Sequence, residues 1–370
     1  MRILSLDEVK DVLVGFAVLG SGGGGSAAAA LERLEQTDRD GHEFRLADLD
    51  ELDATARLAC IGGIGAQAVE EHEAYDRLPR AQKPAGLLAI EALAAYQGAD
   101  LDALMTAEVG VEALSDAWCP AAELGLPLVD ADPIGRAVPE VQHSLFTLHN
   151  VPITPQAVAT EVGDTLIITN VACDERSEAL LRAMAMASGD LVYALDHPGT
   201  VAELRPALIT GVISLTQRIG CALRATAAEG GDTATAAATA GRGSVRFRGM
   251  VAAAQTVNRG GFTCGETLLT GTEHDVGSKY RVWLKNENLM SWRDDDVDVT
   301  TPDVITLVGD KGDVLLNPCG EAVGQSVAVV AVPAPAQLRT AEALALLGPQ
   351  AFGFDVGYRP IDGRGRTGEA

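Results

Sequence analysis

Aromatic side chains are scarce in this sequence: 4% of its 370 residues are Phe, Trp or Tyr, although 47% are hydrophobic. The core must therefore be assembled from Ala, Val, Leu and Ile, as in a soluble globular protein of two or three domains. Positive charge is also short. Lys and Arg number 28 against 52 Asp and Glu, a formal net charge of −24, which argues against nucleic acid or an anionic membrane as a partner. No run of about 18 apolar residues occurs, so no membrane-spanning helix is predicted. Met1 to Lys10 carries Asp7 and Glu8 and lacks a cleavable signal pattern. The six cysteines (Cys60, Cys119, Cys173, Cys221, Cys264 and Cys319) never fall in CxxC spacing. They read as mostly reduced, buried thiols of a cytoplasmic protein.

What is present is an alternation of periods. Asp7 to Leu19 has apolar residues at near-helical spacing. From Arg57 to His143 short apolar strands (Arg57 to Ile61, Leu101 to Ala107, Leu126 to Val129) alternate with helical stretches at Gly86 to Tyr96 and Val111 to Leu124. That order predicts an α/β domain whose sheet is mainly parallel, with flanking helices. Thr165 to Val171 and Leu191 to Leu195 read as further strands, and Asp174 to Ala187 as a helix supported by Glu178 and Arg182 at i,i+4. Thr200 to Leu208 and Gly211 to Arg224 read as helical. Ala225 to Gly241 is small and polar and reads as a loose linker. After it come short alternating strands, with a hairpin turn at Asn258-Arg259-Gly260-Gly261. The predicted organisation is an α/β domain at 1–240, a smaller all-β domain at 241–335, and a closing helix and frayed tail at 336–370.

Three strand ends carry the chemistry. Gly62-Gly63, Glu108-Val109-Gly110 and Asp130-Ala131-Asp132 follow successive strands. In an open α/β sheet, ligands bind at such carboxyl ends. Asp130 and Asp132 would share one face of an extended segment, with Gly135-Arg136 and Pro139-Glu140 just beyond. The competing reading is structural: Asp132 caps the next segment and Arg136 pairs with an aspartate. The run Gly22, Gly23, Gly24 and Gly25 before the helix at Ala27 reads either as an anion-binding loop or as a flexible inter-helix linker. It is not a Walker loop, because no Gly-Lys-Ser/Thr follows. Glu70-Glu71-His72-Glu73 reads as a solvated acidic face rather than a metal cluster, and His143 as a structural histidine. Asn286-Glu287-Asn288 either caps a turn or reaches into a shared cleft.

The glycine run, Asp130-Ala131-Asp132 with Gly135-Arg136 and Pro139-Glu140, Phe247-Arg248-Gly249, Gly260-Gly261-Phe262-Thr263, Asn286-Glu287-Asn288-Leu289 and Gly348 to Asp355 together resemble the S-methyl thiohydantoin desulfurase family, also called DUF917. The resemblance runs in order from about residue 5 to 360. It implies an N-terminal α/β domain, a C-terminal β domain, and removal of sulfur from a five-membered hydantoin-like ring, with a hydantoinase/oxoprolinase protein as the natural neighbour. The chain departs from the family pattern at Ser26, where aspartate is expected, and at Gly110-Val111-Glu112-Ala113, where Gly-Gly-x-Asn is expected.

Desulfuration needs an activated water, stabilised charge and a departing thiolate. Asp130 or Asp132, with Glu108 nearby, is the expected base. Arg136 would hold a ring carbonyl, and Gly22 to Gly25 amides would stabilise developing charge. Gly63, Glu140, Asn286, Glu287 and Asn288 are expected to bind substrate. A divalent metal is an open alternative, with Asp130, Asp132, Glu108 and His143 as its candidate ligands. Cys60 and Cys119 are weak nucleophile candidates. The alternative function is a non-catalytic or partner-dependent subunit of a hydantoinase/oxoprolinase-type system. The alanine-rich helical surface permits a homo-oligomer.

Overall fold

The computed structural model describes residues 1–65, 72–318 and 320–361. The first part of the chain carries β1 (Arg2–Leu4), β2 (Phe44–Ala47), β3 (Arg57–Gly65), β4 (Ala103–Thr106), β5 (Leu128–Val129), β6 (Ala131–Asp132), β7 (Gln156–Ala159), β8 (Thr165–Ile168), β9 (Leu191–Thr200) and β10 (Ile209–Thr210). Helices α1 (Leu6–Leu19), α2 (Ala27–Arg39), α3 (Glu73–Asp76), α4 (Ala85–Gln97), α5 (Val111–Glu123), α6 (Leu145–Leu148), α7 (Asp174–Ala187) and α8 (Val201–Leu204) lie between them. The main sheet has the order β1-β2-β5-β4-β3-β9-β7-β8. Only β2, β5, β4 and β3 run parallel; both flanks are antiparallel. The sheet is thus mixed, with its parallel part where βαβ alternation was read.

Helix α9 (Val212–Ala228) returns to α1, and the two touch backbone to backbone. A Cβ at Gly15 would fall 1.9 Å from the Thr216 carbonyl oxygen, and one at Gly220 would fall 1.8 Å from that of Asp11. The segment read as a loose linker is largely helical, as the end of α9 and α10 (Thr233–Ala240). Asp232 caps α10 by accepting the Thr235 N–H at 3.1 Å. Its alanines, good helix formers, bury Ala234, Ala237 and Ala238. Small residues read as flexibility were small because a sheet packs on them.

The second sheet is formed by β11 (Ser244–Arg259), β12 (Phe262–Gly271), β13 (Lys279–Lys285), β14 (Glu287–Arg293), β15 (Asp296–Thr300), β16 (Val304–Gly309), β17 (Val314–Leu315) and β18 (Ser326–Val332). It is wholly antiparallel, in the order β15-β14-β13-β12-β11-β18-β16-β17. The α/β domain followed by an all-β domain is as expected. Strand β18 is buried on both faces: Val327, Val329 and Ala331 join the β domain's own core, while Ala328, Val330 and Val332 join the core of the first domain. Helix α11 (Ala341–Leu347), capped by Thr340, closes the chain. The tail read as frayed lies outside the described residues from 362 on. No helix among the described residues is long and apolar enough to cross a membrane.

The cysteines differ from expectation. The five described are free, but only Cys60 and Cys119 are buried; Cys173 and Cys221 are exposed and Cys264 is half-buried. Cys319 lies outside the described residues.

Arg136 joins the domains. Fully buried, it donates from Nε to the Ala137 carbonyl at 2.8 Å, from Nη1 to Pro302 and Asp303 at 3.0 Å each, and from Nη2 to Asn288 at 3.2 Å. Replacing it with methionine takes the guanidinium donors away from these buried acceptors, of which the Asn288 carbonyl keeps the Ser21 hydroxyl. Arg136→Met is therefore expected to lose roughly 3–5 kcal/mol of stability. Urea denaturation of both proteins checks this, and a loss below about 1 kcal/mol, the size of one ordinary hydrogen bond, contradicts the structural role.

Candidate functional site

The glycine run is a packed element. Gly22, Gly24 and Gly25 have φ of 83°, 87° and 90°. A Cβ at Gly22 would meet the Asn288 amide at 2.5 Å, and one at Gly24 would meet the Gly110 Cα at 2.5 Å. Gly23 faces the Glu287 carboxyl and Gly25 that of Glu112 in the same way. The loop is clamped between β14 and the start of α5. The Ser21 hydroxyl donates to the Asn288 carbonyl at 2.9 Å and accepts the Ile305 N–H at 3.1 Å. Of the four glycines, Gly24 and Gly25 reach the cavity described below, followed by Ser26; Gly22 and Gly23 do not line it. Ser26 caps α2, and its N–H donates to Glu112 at 2.9 Å. Ser26 and Glu112, both in stretches where the resemblance led to other residues being expected, are therefore bonded to each other.

The acidic stretch is divided between roles. β5 ends at Val129 and β6 begins at Ala131, so Asp130 lies in the break between them. Its carboxylate accepts the Ser214 N–H at 3.1 Å and the Ser214 hydroxyl, capping the first turn of α9. Asp132 accepts the Ile134 N–H at 2.8 Å and also that of Gly135. Its other oxygen is buried without a hydrogen-bond partner. Burial pushes Asp132 up to about 7, against the two amides that hold the charged form. Asp130, Asp132 and Arg136 do not line the cavity. Asp130 and Arg136 instead hold a helix and a domain interface.

The cavity, about 620 Å³, opens between the first sheet, the glycine loop and β14. Glu108, just past β4, accepts the Val138 N–H at 2.8 Å. Burial raises its carboxyl to about 7; the Val138 amide opposes this and the Asp132 charge adds to it. Glu287, 2% exposed, enters from the β domain, and its Oε2 has no hydrogen-bond partner. Burial, then the charge of Glu108, holds it well above the usual carboxylate range. Glu140 pairs with Lys285 and Gln142. Asn286 takes a left-handed turn at φ 56° and accepts the Thr263 N–H at 2.9 Å. Asn286, Glu287, Glu140 and Gly63 line the cavity; Asn288 turns into the domain interface and donates to the Ile305 carbonyl at 3.0 Å. Gly62 and Gly63 lie inside β3, which runs on to Gly65 by pairing with β9. The Glu178–Arg182 pair predicted on α7 is present, buried at the cavity, and Arg182 also donates to the Gly65 and Gly261 carbonyls at 2.6 and 3.0 Å.

Sequence reading missed Asp196 and His197. Both line the cavity and are buried. His197 Nδ1 lies 2.8 Å from Asp196 Oδ1, and Nε2 has no hydrogen-bond partner. The ring stacks on Phe146 at 4.4 Å. A signal was available: Asp-His-Pro interrupts an otherwise apolar strand.

His143 is buried against Phe352, and burial together with Arg136 lowers it to about 4. His72 lies 2.9 Å from the Asp190 carboxylate, while Glu70 and Glu71 lie outside the described residues. Among the described residues no three His, Cys, Asp or Glu side chains gather where they could hold a metal ion.

A family model described as S-Me-THD-like, N-terminal domain, matches residues 7–170, and one described as S-Me-THD-like, C-terminal domain, matches residues 172–361. The chain is also similar to a protein from Chromobacterium violaceum of known X-ray structure, at 25% identity and a TM-score of 0.78, over 98% of this chain and 100% of that one. No curated protein matches it.

The raised Glu108 carboxyl has a consequence for stability. Its ordinary value is 4.5 and its folded value about 7, so the folded state binds the proton more tightly than the unfolded one. That contribution is complete below about 4.5 and is lost as pH rises through 7. Glu108→Gln removes the loss. Its melting temperature, relative to the parent, is expected to rise between pH 5 and pH 8; an offset that stays constant with pH contradicts the shift.

Proposed function

The chain belongs to the S-methyl thiohydantoin desulfurase-like family, and from that premise we propose that it hydrolyses a five-membered S-methyl thiohydantoin or related cyclic thioamide in the 620 Å³ cavity. Water adds to the ring carbon that carries sulfur, the thiol leaves, and a carbonyl takes its place. The observation that carries this reading is Glu108. It is a carboxyl in the cavity wall whose pKa of about 7 leaves it partly protonated near neutral pH, the condition for a general acid at that pH. It donates its proton to the ring nitrogen as water adds, and recovers one from the new hydroxyl as the carbonyl forms.

Other features support the assignment. Ile134, Val138 and Phe146 give the cavity an apolar wall for ring and thioether. Glu287 offers a buried carboxyl oxygen to a ring N–H. Asp130 and Arg136, engaged in helix and interface bonds, are given no chemical step. The product is a cyclic amide, the substrate class of a ring-opening hydrolase, which fits the neighbour implied by the family resemblance.

The test is thiol release from S-methyl thiohydantoins, thiohydantoins and hydantoin controls, followed with a thiol reagent. Turnover of a sulfur-bearing ring is expected. Glu108→Gln should lower kcat by about a hundredfold with KM little changed. Absence of thiol release from every ring refutes the reading, and a variant within twofold of the parent removes Glu108 from the mechanism.

A further inference from the structure

We propose that His197, oriented by Asp196, is the general base that activates the attacking water, an assignment that rests on the hydrolytic reading above. Three independent features of the backbone and cavity place it there.

The first is a β-bulge. Between β3 and β9 the register passes from Leu58 opposite Gly199 to Cys60 opposite Asp196, so β9 spends one extra residue across that step. A bulge of this kind redirects a side chain that regular pleating would send elsewhere. His197 occupies it with φ 46°, a left-handed conformation that costs free energy for a residue with a Cβ. The second feature is what holds the imidazole. Its ring lies on Phe146 with an interplanar angle of 24°, and its N–H main-chain group donates to the Ile153 carbonyl at 3.3 Å. The third is the proton arrangement. Asp196, 6% exposed, lies 2.8 Å from Nδ1. As a carboxylate it can only accept, so the imidazole proton sits on Nδ1 and Nε2 keeps its lone pair. Nε2 belongs to a cavity-lining residue and has no hydrogen-bond partner. A buried acceptor is ordinarily satisfied; this one is buried without a partner, on a residue that lines the cavity.

The step balances. Nε2 takes a proton from water while the water oxygen bonds to the ring carbon. The C=N electron pair moves to nitrogen, which takes the Glu108 proton. Next the C–S bond breaks, and the departing thiolate takes the proton back from the imidazolium. The hydroxyl proton returns to the Glu108 carboxylate as the carbonyl forms. Water and the thioether-bearing ring become a cyclic amide and methanethiol, with both protein groups restored.

Two variants of the full chain test this. Asparagine tolerates left-handed φ, so His197→Asn keeps the bulge. Asp196→Asn presents an amide donor to Nδ1, which moves the imidazole proton to Nε2 and removes its lone pair. Each is expected to lose at least a hundredfold in kcat while binding hydantoin, the product ring, within threefold of the parent by calorimetry. If the parent turns over S-methyl thiohydantoin and His197→Asn stays within threefold of it, the base assignment is overturned and the hydrolytic reading stands. If the parent turns over no ring, the hydrolytic reading fails, and diethyl pyrocarbonate labelling followed by peptide mass spectrometry decides on His197. Labelling at His197 that slows at least tenfold in Asp196→Asn supports a nucleophilic Nε2 in the cavity. Absent labelling, or equal rates in the two proteins, overturns it.

Discussion

The carbonyl oxygen of Asn288 receives two donors from the first domain, the Ser21 hydroxyl at 2.9 Å and the Arg136 guanidinium at 3.2 Å. One main-chain acceptor thereby ties the glycine loop and the acidic stretch to the β domain. The neighbouring residue, Glu287, at the start of β14, lines the cavity. A guanidinium buried among carbonyls is costly to desolvate, and it is tolerable because its donors are spread over four of them. The two domains therefore meet as a fixed wall, with the cavity along the seam.

That seam does not follow the division of the chain into family halves. The C-terminal family model begins at residue 172, yet β9 within it is a central strand of the first sheet. It pairs with β3 on one side and β7 on the other. Glu108 comes from one half, while His197 and Glu287 come from the other. The same interleaving appears in β18, whose alternate residues serve different cores. Its uninterrupted apolar run is what burial on both faces requires.

Local order was legible in the sequence where local forces decide it. The helix at Asp174 to Ala187 has the predicted limits, and the hairpin at Gly260-Gly261 turns where the paired glycines allow φ of 62° and 83°. Pairing between distant segments was not legible. Gly62 and Gly63 looked like a strand end, because the strand that extends them, Leu191 onward, lies far along the chain. Asp130 and Asp132 were expected on one face. The main chain breaks at Asp130 because its N–H serves Ala47 and its carbonyl accepts from Gly211. His197 escaped notice for the same reason: a bulge is a property of register, and register belongs to two segments at once. Composition misled at Ala225 to Gly241, where small side chains mark tight packing as readily as looseness.

The clamp on the glycine loop also sets an order of events in time. Ser21 precedes its partner Asn288 by 267 residues. At synthesis rates of about 5–20 residues per second, the ribosome needs on the order of tens of seconds to deliver that partner. Helix α1 can form early, but the loop after it has only the start of α5 on one side until β14 arrives on the other. A nascent chain halted before the β domain would present this stretch, together with the unfilled seam around Glu108, to proteases and chaperones. Completion of the cavity and protection of the loop are thus one event, late in the life of the growing chain.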